Sequence, residues 1–290
     1  MWGTTGILVK AVYAVTTMGP VSVALFRLVV ALPFLAGLVA VKRYDLSMTR
    51  RELILFAGLG FCSLTVFVIL YLASFAYTTV QHATALLYTA PAFVAVLSWI
   101  ILKESMTRAK LTAVALSVLG AFLIVGVMRG GHLFGSRTQV GDWLAIASGL
   151  AYSTWYIFGK VLGKNREPAV VCFVGMCFGG LFMLLIAVTA GALQIPNSPT
   201  AWELLGLLGL VPTALAYLSY LTGLRLIDAT KASVFAIVEP VTAVILGFLL
   251  LGETLSYDSL LGFALIVSSI LIISLTANST RPGGGRQIIE

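Results

Sequence analysis

The chain has 290 residues, of which 60% are hydrophobic and 10% charged, with a mean hydropathy of +1.05 and a formal net charge of +7. Soluble domains carry about a quarter charged residues, so this composition excludes a water-soluble globular fold and calls for a protein that crosses a membrane several times. The positive residues sit in short connections between apolar runs, which fits membrane orientation and argues against nucleic acid as a partner.

A membrane-crossing helix needs ~20 apolar residues. Ten segments meet or approach that requirement, at roughly 2–17, 20–41, 52–74, 80–102, 110–128, 141–160, 168–190, 202–224, 230–251 and 259–276. The expected fold is an all-α membrane protein of ten transmembrane helices. The first segment starts almost at Met1-Trp2, so a short cytoplasmic lead is expected to be missing or trimmed, and no cleavable signal is visible. The longest connection, about 129–140, carries Gly130, Gly131, Gly135 and Ser136 and divides the chain into halves at 1–128 and 141–276. The tail, 277–290, is polar and Gly-rich and reads as disordered. Cys62, Cys172 and Cys177 lie inside apolar runs and read as buried, inert thiols; no Cys/His spacing suggests a metal, and no cofactor is implied.

With a cytoplasmic N-terminus, 14 of the 18 Lys and Arg fall in cytoplasmic connections or the tail. They include Lys42, Arg43, Arg50, Arg51, Lys103, Lys160, Arg225 and Lys231. Arg129 and Arg137 alone lie on the opposite side. The asymmetry predicts a multi-pass cell-membrane protein with both termini cytoplasmic.

The halves repeat. Thr89-Ala90-Pro91 through Leu102-Lys103-Glu104 corresponds to Val238-Glu239-Pro240 through Leu251-Gly252-Glu253, 149 positions later. At that offset Tyr71 matches Tyr220 and Leu111 matches Leu260; one position further, Trp2 matches Tyr152 and Lys10 matches Lys160. Five spans per half is odd, so the second half inserts upside down. Inverted repeats are a mark of secondary transporters, with the substrate near the midplane.

The motifs that carry a resemblance are Trp2-Gly3-Thr4-Thr5 with Lys10, Arg27, Ala90-Pro91 with Leu102-Lys103-Glu104, Gly141-Asp142, Val211-Pro212-Thr213-Ala214-Leu215-Ala216-Tyr217, Glu239-Pro240 and Leu251-Gly252-Glu253. In this order and spacing they resemble the drug/metabolite transporter superfamily, in particular its ten-helix EamA branch. The resemblance covers nearly the whole chain. It implies an inverted-repeat carrier with a central cavity lined by spans 1, 3, 4, 6, 8 and 9, which moves amino acids and other small metabolites, often outward.

Glu239 is the leading site residue. It lies about nine residues into span 9, ~13 Å deep at 1.5 Å per residue. A carboxylate there costs about 2.5–3.5 kcal/mol on insertion scales, so it must face the bundle interior. It serves substrate or proton binding, or else a structural bond to backbone loosened by Pro240. The first repeat holds Ala90 at the equivalent place, so the fold does not need the acid twice. Lys10 and His82 toward the outer mouth, and Lys160 and Lys231 toward the inner, are read as attractors for carboxylate-bearing substrates; snorkelling is the plainer reading of the inner pair. Tyr71, Tyr88, Trp155, Tyr156, Tyr217 and Tyr220 fall on the cavity spans and either contact apolar or cationic substrate parts or simply pack. Arg27 reads as a structural clamp, Pro91 and Pro240 as mid-span bends, and Glu104 and Glu253 as surface anchors.

A carrier of amino acids or related compounds, working by alternating access with proton coupling through Glu239 open, is the expected function. A cationic-drug exporter is the runner-up, because span 1 offers Lys10 where a cation would want an acid. A membrane enzyme would need a clustered catalytic motif, and a channel a selectivity segment; neither is present. The partners expected are a small-molecule substrate and the lipid bilayer, in a monomer or homodimer.

Overall fold

The computed structural model describes residues 1–74, 76–77, 83, 86–124, 139–239, 241–242, 245, 249 and 257–279. The secondary structure of these residues is helical throughout. His82, Pro240, Glu253 and the connection 125–138 lie outside them. The helices are α1 (Thr5–Val15), α2 (Pro20–Val41), α3 (Arg50–Ser74), α4 (Ala90–Leu102), α5 (Arg108–Ile124), α6 (Gln139–Leu162), α7 (Pro168–Thr189), α8 (Pro199–Leu224), α9 (Ala229–Ala236) and α10 (Tyr257–Ser279). Of these, α2, α3, α7 and α8 are long and apolar enough to cross a membrane. Two expected boundaries move: helix already covers 139–140 of the predicted connection, and α10 runs on to Ser279, past the predicted start of the tail.

The helix starts follow capping chemistry. Pro20, Pro168 and Pro199 each occupy a first-turn position, where a missing N–H costs nothing. Thr49 and Glu52 form a reciprocal capping box before α3. Arg166, in the α6–α7 connection, bonds both carboxylate oxygens of Glu52, the nearer at 2.6 Å, and the carbonyl of Ser47. Beside it, the hydroxyl and amide of Ser47 hold the Asp45 carboxyl below its usual range. The connections at α2–α3 and α6–α7 are thereby tied across the two halves of the sequence.

The packing pairs equivalent helices of the two halves. α2 packs on α7, α5 on α10 and α4 on α9. α3 lies against α6 and α7, and its counterpart α8 lies against α1 and α2. Two glycines fix the last of these crossings. A Cβ on Gly60 of α3 would sit 2.6 Å from the backbone N of Gly179 on α7, and one on Gly209 of α8 would sit 3.0 Å from the carbonyl of Arg27 and 3.1 Å from Val30 on α2. Gly60 and Gly209 stand 149 positions apart, as do Val30 and Gly179. The same close approach is thus built twice, with the helices exchanged.

Both crossings coincide with a widened turn. α3 is π-helical over Leu59–Val66 and α8 over Leu210–Leu215. In each, a threonine hydroxyl satisfies the carbonyl five residues back: Thr65 to Gly60 at 3.0 Å and Thr213 to Leu208 at 2.9 Å. Pro212 lacks the N–H that a regular α-helix would use there. Such bulges recur at functional sites.

Gly60→Ala is expected to lower the thermal midpoint of the purified protein, through an overpacking cost of about 1–3 kcal/mol. Gly206→Ala, where an added Cβ meets nothing within 4 Å, is expected to be neutral or stabilising by up to about 1 kcal/mol. Thermal unfolding in detergent compares them directly.

Candidate functional site

The site begins where two helices break. The chain turns at Tyr88-Thr89, and α4 restarts at Ala90 with Pro91 in its first turn. Pro91 therefore begins a helix rather than bending one. Thr89 Oγ1 bonds the Leu86 carbonyl at 2.6 Å, taking up part of the backbone that the break releases. On α6, a Cβ on Gly149 would sit 3.1 Å from the Leu87 carbonyl, so that helix lies directly against the break. The second half repeats the event. α9 ends at Ala236, Ile237 forms a turn, and helix resumes at Val238-Glu239. Ile237 stands 149 positions after Tyr88. Glu239 thus sits at the start of a helical segment, where exposed N–H groups favour a carboxylate. Discontinuous helices with charged groups at the break are how membrane carriers bring polar chemistry to mid-bilayer depth.

Glu239, Trp2 and Tyr220 line a cavity of about 380 Å³ between the N-terminal segment, α8 and the two halves of the broken α9. The remaining wall is largely apolar, including Leu224, Ile227 and Phe235, with Ser219 and Thr242 as hydroxyls. The volume is in the range of a small-molecule site.

Around it the aromatic rings form one connected cluster. Trp2 contacts Tyr217 at 5.3 Å and Tyr220 at 5.2 Å. Tyr217 packs edge-on against Trp155 at 4.7 Å. Tyr220 meets Tyr156 at 5.4 Å, Tyr156 meets Tyr152 at 5.6 Å, and Tyr152 reaches Tyr71 through Phe67. Such ring pairs contribute about 0.5–1.5 kcal/mol each beyond burial. Tyr88 packs beside Ile237 and Val241 and, with Tyr152, Tyr156 and Tyr217, lies within electrostatic reach of Glu239. All six aromatic residues singled out in the sequence are therefore brought together. Sequence reasoning passed over Trp2, Phe67 and Tyr152. Two signals were available: Trp2 and Tyr152 are repeat counterparts, and Tyr152 and Tyr156 are four apart on one helix face.

Arg27, on α2, interacts electrostatically with both Tyr217 and Glu239. It therefore lies within electrostatic reach of the site rather than apart from it. Lys10 is exposed on α1 and is not among the residues lining the cavity. Lys160 is committed elsewhere: its ammonium donates to the carbonyls of Leu224 at 2.7 Å and Ile227 at 2.6 Å, at the end of α8 and in the turn to α9. The reading of Lys160 as a cation free to attract substrate is corrected, because orphan carbonyls at a helix C-terminus are its partners. Glu104 does the complementary work. It accepts from Ala229 N at 2.7 Å and from the Thr230 hydroxyl at 3.0 Å, capping α9, and Lys110 bridges it to Asp228.

The chain matches the model of the EamA-like transporter family over residues 1–126 and 139–275. The chain belongs to the EamA-like transporter family. The uncharacterized inner membrane transporter YicL of Salmonella typhimurium is 28% identical over 95% of this chain and 92% of its own. An uncharacterized transporter of Archaeoglobus fulgidus is 28% identical over 70% of each chain. A protein of Streptantibioticus cattleyicolor named a probable terminal-alkyne amino-acid exporter is 26% identical over 84% of this chain and 80% of its own. A solved crystal structure shares the fold at a TM-score of 0.82, with 16% identity, covering 97% of this chain and 95% of that one. This EamA-type chain is a membrane transporter protein. The family accounts for the small-molecule cavity, and points away from an enzyme.

Replacing Lys160 separates the two roles weighed for it. Lys160→Met is expected to lower stability by about 2 kcal/mol, the worth of hydrogen bonds from a charged donor, and to reduce the thermal midpoint in the absence of any solute. A cation serving only to attract substrate would leave that midpoint unchanged.

Proposed function

We propose that this protein is a secondary carrier for small amine-bearing metabolites, amino acids or close relatives, that works by alternating access. The observation that carries the reading is the cavity itself: one carboxylate, Glu239, set at a break in α9 and faced by an aromatic wall. A carboxylate suits an ammonium group, and the rings suit an apolar or cationic body. The name borne by the Streptantibioticus cattleyicolor relative agrees with this class.

In this proposal the ten helices are ten spans, arranged as two inverted five-helix repeats. Support comes from the reciprocal crossings at Gly60 and Gly209, the paired π segments, and the paired breaks at Tyr88 and Ile237. Both termini lie in the cytoplasm, by the distribution of Lys and Arg. The cavity then opens on the cytoplasmic side, near Gly223 and Ile227. Rocking of the halves about the α2–α7 packing and the glycine crossings of α3 on α7 and α8 on α2 exposes it to the other side. Tyr88-Thr89 with Pro91, and Ile237 with Pro240, are the flexing points. Glu239 carries the coupled proton, and substrate and proton compete for it.

A cationic-drug carrier is the second reading, and Glu239 favours it as much as an amino acid does. Arg27 weighs against it, since a guanidinium beside the acid reduces the pull on a purely cationic solute.

Uptake into proteoliposomes, with and without an imposed pH gradient, tests the proposal. Glu239→Gln is expected to cut uptake of amino acids about ten-fold or more, and to make the remainder insensitive to the gradient. Unchanged gradient dependence in that variant sinks the coupling role. Competition by amines and amino acids alike, but not by organic acids lacking an amine, is the expected selectivity.

A further inference from the structure

The segment that joins α8 to α9, residues 225–230, is fastened by charged side chains along almost its whole length. Arg225 pairs with Glu167 of the α6–α7 connection at 2.8 Å. Lys160 of α6 donates to the carbonyls of Leu224 and Ile227. Lys110, in the first turn of α5, pairs with Asp228 at 2.9 Å. Glu104, just past α4, accepts from the Ala229 amide and the Thr230 hydroxyl. The side chains of Lys110 and Glu104 are 5% and 8% exposed and stand 3.7 Å apart. Packing adds less. Leu226, within the segment, is 83% exposed, and Ile227 is only partly buried. The position of the segment therefore depends on charge more than on apolar contact. Ile227 also lines the cavity, beside its mouth.

The repeat supplies a comparison within the same chain. At the 149-residue offset Glu104 corresponds to Glu253, but Lys110 corresponds to Ser259 and Asp228 to Thr79. The second copy carries neither member of the ion pair at the equivalent positions, so this fastening by charge is one-sided. Alternating access closes one mouth of a carrier as it opens the other. Closing the mouth beside Ile227 moves the segment that carries it, and the charged contacts oppose that movement. We infer that residues 225–230 are a strap, held away from the mouth by a clasp of Glu104, Lys110 and Asp228, and that release of the clasp is the step that closes this mouth. The inference rests on the carrier reading above and adds to it a one-sided lock. Parting the clasp strips a buried ammonium of one partner, and that cost sets the bias. The empty carrier therefore rests in the conformation described here, and salt or a neutral side chain at position 228 lets it leave.

Double electron–electron resonance between spin labels on Leu226→Cys and Val41→Cys reads the strap directly, in the full-length protein with Cys62, Cys172 and Cys177 replaced. Both labelled positions are exposed. Val41 ends α2, which packs along α7 and serves as the fixed reference. The protein with its clasp intact is expected to give one dominant distance. Asp228 stands at the N-cap of α9, and Asp228→Asn keeps a good capping residue while removing the charge. It is expected to raise the population of a second distance about three-fold. Glu104→Gln is expected to raise it about ten-fold. Raising the salt from about 0.1 M to about 1 M is expected to act in the same direction. Asp228→Glu restores the charge and is expected to keep the single distance. One distance throughout, unmoved by Asp228→Asn and by salt, overturns the inference. A second distance in Asp228→Glu equal to that in Asp228→Asn overturns it too, because shape rather than charge then sets the strap. Both outcomes are read at Asp228, whose side chain is 42% exposed, so neither depends on whether a change at the buried Glu104 folds. Proteoliposome uptake separates the inference from the carrier reading. A strap that responds in a protein that moves no solute supports the clasp and counts against the carrier reading. Uptake with an unresponsive strap overturns the clasp alone.

Discussion

Inside a bilayer a backbone N–H or carbonyl that leaves its helix has no water to turn to, and each unmet group costs several kcal/mol. That constraint governs where this chain interrupts its helices. It does so at Tyr88-Thr89, at Ile237, and more gently in the π segments of α3 and α8. In the π segments and at Thr89 a hydroxyl takes up a released carbonyl. Thr65, Thr89 and Thr213 supply those hydroxyls, and Glu239 lies one residue into the helical segment that resumes at Val238. Irregular backbone at that depth is tolerated where it is buried in protein or lines a cavity. The break in α9 lines one, and the break before α4 is covered by α6 at Gly149.

The same helix ends are tied down by long charged side chains. Lys160 holds the end of α8, and Glu104 with Lys110 holds the start of α9. These contacts fix both ends of the α8–α9 connection, one face of the cavity. The other face is set by the aromatic cluster, in which Trp2 and Tyr217 join the N-terminal segment to α8. A carboxylate is thus held against rings whose positions are set by four different helices. The pairing of Arg27 with Tyr217 extends the arrangement to α2. The crossing at Gly209 lies on that same helix pair, so movement of α8 against α2 and change at the cavity are mechanically connected.

Much of this was legible in the sequence, for physical reasons. Hydropathy is an average over many residues, so the apolar helices survive errors at any one position. The duplication shows through Pro91 and Pro240, which recur at the same offset in the two halves. Glu239 stands out because a carboxylate deep in an apolar run is costly. Other features were not readable. That Lys160 finds two carbonyls depends on where α8 ends, which a sequence does not show. Pro91 looked like a bend within a helix, while the break falls at the preceding Tyr88-Thr89. Lys103 adopts a left-handed conformation (φ 56°), which a lysine does not announce, although the equivalent position of the second copy is Gly252. Phe67 was missed because a ring contact between helices leaves no mark on local pattern, whereas Trp2 and Tyr152 were matched as repeat counterparts without being read as site residues.

The central claim is that the space between Glu239 and the aromatic wall is where the substrate sits. Ser219 lines that cavity and is itself exposed, which makes it a direct reporter. In a background with Cys62, Cys172 and Cys177 replaced, Ser219→Cys is to be treated with a membrane-impermeant maleimide from each face of oriented vesicles, with and without saturating L-phenylalanine. The account predicts labelling from the face that carries Arg225 and Lys231, and protection by the amino acid. Absence of labelling from that face, or labelling that the amino acid leaves unchanged, would contradict it.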